Sequence, residues 1–309
     1  KSIFVKYMTN ILSKKDLKIF KGKYFLPWFN KNDIIHVKTP KKVVVFDLDE
    51  TIGSFSDLYI LWCGIKHAWP SCPHFNKLLD MYPEFLRYGI TTILEFLYEK
   101  KRTRECNKIY IYTNNQCSPE WVHLISKYFE SKIRTSKKKL FDKMICAFKI
   151  NNKTIEDCRS GHSKRIRDFL RCSGMSDHSE ICFIDDVEYP EMKSSKVYYI
   201  CPRPYVHPLT TIEIIKRISK ASWLHRGILT SESFWKDWFR LHKRRFINKA
   251  RNNLDLDLQV SQKIIFHLQE YLMYGKNNQP KTQTKKKQKE LKQKRKTQRA
   301  ITDLQNHSP

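Results

Sequence analysis

The chain has 309 residues and a formal charge of +28, from 59 Lys and Arg against 31 Asp and Glu. That length allows one substantial core with additions at its ends, since single cores stop growing at roughly 250–300 residues. The charge favours anionic partners (nucleic acid, acidic protein or an anionic membrane surface) without choosing among them. Nine cysteines are scattered, with an odd total and no C-x-x-C pair. This argues against a disulfide framework or a zinc site, and for a reducing, intracellular home, cytoplasmic or nuclear. No stretch approaches the ~18 apolar residues of a membrane span. Lys1 in place of an initiator Met fits a trimmed or partial chain.

Residues 1–39 read as an N-terminal extension, with an amphipathic helix at 8–20 and a loop through Pro27 and Trp28 that covers the core's edge. From Lys41 the pattern changes. Val43, Val44, Val45 and Phe46 form a β-branched and aromatic run of the kind buried on both faces of a parallel sheet. Similar runs recur at 109–112, 181–184 and 197–200. Between them, residues 83–101, 119–129 and 163–171 carry helical spacing behind Pro or Ser starts. Residues 52–82 read mainly as a loop containing Trp62, Trp69 and Pro70, and 145–153 as a hairpin-like stretch. Strands alternating with helices predict an α/β fold, a Rossmann-like parallel sheet with flanking helices over residues 40–208.

After Pro208 the strand signal ends, and helices at 212–224, 233–251 and 260–274 form a basic helical appendage spanning 209–275. The middle helix interleaves Phe234, Trp235, Trp238 and Phe239 with Lys236, Arg240, Lys243, Arg244 and Arg245. Its aromatic stripe reads more readily as a core face than as a base-stacking platform. Residues 276–309 are Lys, Gln and Thr with few apolar side chains. They predict a disordered basic tail with a nonspecific attraction to polyanions such as nucleic acid.

Three of the four strand runs end in polar residues: Asp47-Leu48-Asp49-Glu50-Thr51, Thr113-Asn114-Asn115 and Asp185-Asp186. In a parallel sheet these groups share the C-terminal edge, where open α/β sheets place ligands. Four carboxylates gathered there raise one another's pKa unless a cation neutralises them. Mg²⁺ held by Asp47, Asp49, Asp185 and Asp186 resolves the conflict. A turn after Asp47 separates the roles of the first two acids: Asp47 attacks phosphorus, and Asp49 moves protons to the leaving group and from water. Thr113 and the amides beside it, with Thr51 and Asn114, are the expected phosphate contacts, and Lys164 neutralises the transferring phosphoryl, with Lys149 as the fallback. The histidines share no ligand spacing.

This ordered set resembles the haloacid dehalogenase superfamily, whose motifs are D-x-D-x-T/V, then a Ser or Thr, a downstream Lys, and paired acids. The resemblance covers about 160 residues. Phe46-Asp47-Leu48-Asp49-Glu50-Thr51 is similar to the D-L-D-E-T form of phosphatases acting on the C-terminal domain of RNA polymerase II. The likeness implies a magnesium-dependent phosphatase working through an aspartyl-phosphate, with the second acid of the pair, here Asp186, on the metal. Asp185-Asp186-Val187-Glu188 stands where that branch has an acid, an Asn or Asp, and then Ser.

Small-molecule members of the superfamily carry a large inserted cap, and neither interval between motifs here has room for one. The expected substrate is therefore a phosphorylated macromolecule, a phosphoserine or phosphothreonine protein site or a nucleic-acid end. The alternative is a weakly active or inactive protein of this fold that holds nucleic acid or an acidic partner through its basic C-terminal region.

Overall fold

The computed structural model describes residues 12–29, 40–133, 139–224, 227–242 and 253–274. Its strands are β1 (Leu17–Lys21), β2 (Lys42–Phe46), β3 (Lys108–Tyr112), β4 (Lys143–Ile145), β5 (Lys149–Ile150), β6 (Lys153–Thr154), β7 (Glu180–Ile184) and β8 (Val197–Pro202). Six form one sheet in the order β1-β8-β7-β2-β3-β4, parallel throughout except for β1 against β8, and β5 pairs with β6 as a separate hairpin. The four expected strand runs are β2, β3, β7 and β8, and their continuous apolar character follows from burial on both faces. Val44, Phe46, Ile109, Ile111, Cys182 and Ile184 pack into one core cluster. Their alternating neighbours Val43, Val45, Tyr110, Tyr112, Ile181 and Phe183 pack into the other.

Among the described residues there are eight α-helices: α1 (Ser56–Ala68), α2 (Phe75–Met81), α3 (Ile90–Arg102), α4 (Pro119–Lys132), α5 (Ile166–Ser173), α6 (Thr211–Ser219), α7 (Glu232–His242) and α8 (Leu254–Met273). Several differ from the expectation. The stretch expected as a loop holds α1 and α2, because Leu58, Leu61, Trp62 and Ile65 repeat at helical spacing and are buried, with Trp62 edge-on to Phe75 at 5.3 Å. The helix expected at 83–101 is divided. Pro83–Phe85 is a 3-10 turn, and Gly89 at φ +76 redirects the chain into α3, a conformation costly for any residue with a Cβ. The helix expected at 8–20 is contradicted where it is described, since residues 17–21 form β1. Pairing along the exposed edge of β8 overrides the local helical pattern there. Residues 1–11 lie outside the described residues, as do 243–252, the end of the helix expected at 233–251, and the tail at 276–309.

Residues 212–224 comprise the end of a capped helix and a 3-10 turn: α6 begins with a Thr210–Glu213 capping box, and Ser222–Leu224 forms the turn. Helix α8 starts six residues before the expected 260, where Asn253 caps the Leu256 N–H at 3.1 Å. All three C-terminal helices share the core cluster of α1 to α4. Trp235 and Phe239 are buried and Trp238 Nε1 donates to the Ile60 carbonyl at 2.9 Å, so the aromatic stripe is a packing face. A Cβ on Gly64 would lie 2.6 Å from the Trp235 ring, which sets how closely α1 and α7 approach. The Tyr271 hydroxyl accepts from the Val43 N–H at 3.1 Å and lies 2.7 Å from the Glu180 carbonyl, joining α8 to the two central strands.

Candidate active site

The chain winds from β2 to β3 and β4 on one side and returns to β7 and β8 on the other. The crevice between β2 and β7 at their C-terminal ends is therefore the switch point of the sheet. Phe46 pairs with Ile184, so the residues that follow, Asp47 and Asp185, leave the sheet side by side. The Asp47 N–H still donates to the Ile184 carbonyl at 2.8 Å and the Asp185 N–H to Ile200 at 3.2 Å, which carries the ladder into the site. After Asp47 the chain turns sharply. Glu50 has φ +54, its N–H donates to the Gly53 carbonyl at 2.7 Å, and the Ile52 N–H returns to Leu48 at 2.9 Å. This turn separates Asp49 from Asp47, as the D-x-D spacing requires if the two acids are to do different work.

Lys164 joins the two strand ends. Its ammonium donates to Asp47 Oδ1 and, at 2.6 Å, to Asp185 Oδ2, with only 1% of the residue exposed. It sits just before α5 with Arg165 as the N-cap, so the helix expected at 163–171 begins later and leaves Lys164 outside it. Burial alone would lower its pKa, but the charges of Asp185 and Asp47 outweigh that and raise it, so it stays an ammonium. Lys149 lies on the β5–β6 hairpin with its Nζ 5.2 Å from the Phe148 ring. Lys164, and not the fallback, meets the expected nucleophile.

The carboxylates of Asp47, Asp185 and Asp186 present oxygens within 4.8 Å of one another, a group able to hold a metal ion. Asp47 Oδ1 is on Lys164 and Asp186 Oδ1 is on the Thr51 hydroxyl at 2.9 Å, so each acid keeps a second oxygen for a cation. Asp49, expected among the metal ligands, lies outside this group of three, and its Oδ2 accepts from Asn115 Nδ2 at 2.6 Å. Thr51, expected on phosphate, is bonded to an acid: it donates to Asp186 Oδ1 and accepts from the Asp186 N–H at 3.0 Å.

The crowding has the expected electrostatic result. Burial, then the charge of Asp47, pushes Asp49 up to about 7, against the hydrogen bond from Asn115. Burial with Asp49 and Asp186 nearby takes Glu50 to about 8, and burial with Asp47 takes Asp186 to about 6. Burial also pushes Asp185 up, opposed by Lys164. One lysine does not balance this group, and a divalent cation held by Asp47, Asp185 and Asp186 would supply the missing positive charge.

The β3 end departs from expectation in detail. Thr113 is buried and its Oγ1 accepts from the Asn115 N–H at 3.0 Å, which turns Asn115 toward Asp49. Asn114, expected on phosphate, has both ends of its amide engaged: Oδ1 accepts from Arg159 at 2.7 Å and Nδ2 donates to the Tyr189 hydroxyl at 3.1 Å. Sequence reading assigned no role to Asn115 or Arg159. Arg159 is 2% exposed and donates to the carbonyls of Thr113, Cys146 and His162 at 2.8 to 3.0 Å, joining the β3 end to the segment that carries Lys164. No local pattern marks it, since its four acceptors come together only in the fold.

The expectation of no disulfide is also overturned. Cys158 and Cys172, 14 residues apart, are bonded and close a loop that contains Arg159 and Lys164. Neither spacing nor parity signals the pair, which forms because α5 packs back over the segment before it. The intervals between the motifs fold into α1 to α4 and the β5–β6 hairpin, and the apolar side chains of α1 to α4 join the core that lies against the sheet. No helix among the described residues is long and apolar enough to cross a membrane. A scan of the chain against protein-family models finds no match, and a search of curated proteins finds none either.

Proposed function

We propose that the chain is a magnesium-dependent phosphatase of the haloacid dehalogenase type, acting through an aspartyl-phosphate on a phosphorylated macromolecule. The observation that carries the reading is the buried Lys164 ammonium spanning Asp47 and Asp185 at the switch point, with Asp49 held near neutrality beside them. A structural ion pair gains nothing from a third and a fourth carboxylate in the same crevice.

Asp47, Asp185 and Asp186 would hold Mg²⁺, which supplies charge neutralisation for the phosphoryl oxygens when bound. An Asp47 oxygen forms a bond to phosphorus as the bond to the leaving alkoxide breaks. Asp49, protonated in part at pH 7, gives that alkoxide its proton. Asp49 then takes a proton from water, the resulting hydroxide attacks phosphorus, and inorganic phosphate leaves with Asp47 restored as a carboxylate. Lys164 holds Asp47 in place and offsets the charge moving onto the equatorial oxygens. Asn115 orients Asp49 through the 2.6 Å bond to its Oδ2, leaving Oδ1 for proton transfer.

The macromolecular substrate is supported by α1 to α4, whose buried apolar residues belong to the main core. The test is hydrolysis of an aryl phosphate with and without Mg²⁺, by wild type and by Asp47→Asn. Magnesium-dependent turnover that the variant loses supports the reading and leads to phosphopeptides and nucleic-acid ends. Turnover that Asp47→Asn retains overturns it. Absence of turnover in wild type favours the alternative, a binding protein of this fold acting through the basic C-terminal region.

A further inference from the structure

Arg87 is the most deeply buried cation near the site that the mechanism leaves unused, with 1% of the residue exposed. Three successive carbonyls of the turn after the nucleophile accept from this one residue: Glu50 from Nη2 at 2.6 Å, Thr51 from Nε at 2.6 Å, and Ile52 from the Arg87 backbone N–H at 3.0 Å. Nη2 also reaches the Arg203 carbonyl at 2.9 Å, and the Tyr205 N–H adds a second donor to the Glu50 carbonyl at 2.8 Å. The clamped turn carries Asp49 at its start and, in Thr51, the hydroxyl that holds Asp186. It also contains Glu50 in the left-handed region, which an unsupported non-glycine residue seldom occupies.

Helix α8 backs this clamp. The Ser261 hydroxyl donates to the Tyr88 carbonyl, and a Cβ on Gly89 would meet Ser261 Cβ at 3.3 Å. Asp257 is 1% exposed, and its Oδ2 and Arg87 Nη1 are both buried without a hydrogen-bond partner among the described residues. Asp257 is the first of the anions that keep Arg87 charged against its burial, followed by Asp186.

We propose that Arg87 is a positioning residue for the phosphoryl-transfer site, fixing the 49–53 turn through three consecutive carbonyls, and that α8 supports it through Asp257 and Ser261. The proposal rests on the phosphatase reading for its kinetic consequence and on the carboxylate group for its metal-binding consequence. Lysine at 87 keeps a charge but lacks the planar fork that reaches neighbouring carbonyls together. The turn then loosens, and a site displaced by about 1 Å loses up to ~100-fold in rate.

The experiment compares wild type, Arg87→Lys, Asp257→Asn and a control, Lys101→Met, for kcat, KM, Mg²⁺ affinity by calorimetry, and melting. Lys101 is likewise a buried cation donating to two carbonyls and to Asp142, but it lies at the end of α3 beside the opposite edge of the sheet. Expected are a ~10- to ~100-fold fall in kcat with KM within about threefold for Arg87→Lys, weaker Mg²⁺ binding in the same variant, and a smaller fall in kcat for Asp257→Asn. The control lowers the melting temperature and leaves kcat unchanged. A folded Arg87→Lys with wild-type kcat and Mg²⁺ affinity overturns the proposal, and wild-type kcat in Asp257→Asn overturns the part assigned to α8. If Arg87→Lys does not fold, Arg87→Gln is measured in its place, with the same two outcomes. If wild type binds Mg²⁺ without turnover, the phosphatase reading falls, while metal affinity across the variants still decides the positioning role. If wild type neither binds Mg²⁺ nor turns over, both fall.

Discussion

Replacing Asp186 by Asn should make the metal-free protein more stable while removing most of its response to Mg²⁺. Asp186 has its pKa raised from 3.8 to about 6, mainly by burial and then by Asp47. A folded-state pKa above the unfolded one means that ionising the group opposes folding. That penalty is absent below about pH 4, grows as pH rises toward 6, and is complete above it. Two units correspond to about 3 kcal/mol, reduced to roughly 1–2 kcal/mol because Asp186 is only partly buried. Asparagine keeps an Oδ1 to accept from the Thr51 hydroxyl, so the substitution removes charge and little else.

Chemical denaturation in chelator at pH 8 should therefore show Asp186→Asn more stable by about 1–2 kcal/mol, a gain of several degrees in melting temperature, with the difference vanishing near pH 4. Saturating Mg²⁺ should stabilise wild type by about 2.7 kcal/mol at a hundredfold excess over its Kd, and the variant by much less. A variant that is neutral or less stable at pH 8, or that gains as much from Mg²⁺ as wild type, would refute the account of Asp186 as an unbalanced metal ligand.

Lys164→Met leaves Asp47 and Asp185 facing each other without their shared cation, and should cost about 3–5 kcal/mol by urea titration at neutral pH as well as abolishing turnover; a loss below 1 kcal/mol contradicts the buried pairing. Cys158→Ser opens the 14-residue loop around Lys164 and should cost about 3 kcal/mol. Under non-reducing denaturation, alkylation should label the seven remaining thiols of wild type, and labelling of all nine cysteines would disprove the bond. Deleting residues 276–309 should weaken nucleic-acid binding and flatten its dependence on salt, and an unchanged slope would remove the tail from the interaction.

The sheet and the acidic cluster at its C-terminal edge were legible because two signals coincide there. Apolar runs such as 43–46 announce strands buried on both faces, and acids such as Asp47 and Asp185 that follow them directly are drawn into the same buried edge. Lys164 was legible as a cation placed just ahead of a helix and before the strand that ends in Asp185. Which of two adjacent side chains faces inward was not. Asn115 and not Asn114 meets Asp49 because the Asn115 N–H bonds back to Thr113 Oγ1, a detail of turn geometry that a Thr-Asn-Asn string does not encode. Thr51 was assigned to phosphate because its neighbour across the site, Asp186, is 135 residues away in sequence. Arg87 and Arg159 share this limitation, since each is defined by carbonyls drawn from distant segments. Strand β1 was misread because a lysine-rich local pattern says little about the open edge of β8 that recruits it.

The bond from Tyr271 to Val43 spans 228 residues, and it bears on how the protein is made. Strand β2, which leads into Asp47, precedes α8 by most of the described chain, yet the hydroxyl that occupies its Val43 amide lies in that last described helix. The centre of the sheet is therefore sealed only once α8 has been made and has docked. Until then β2 and β7 present open backbone and apolar faces to solvent or to a chaperone, and a chain interrupted ahead of α8 is left in that adhesive state.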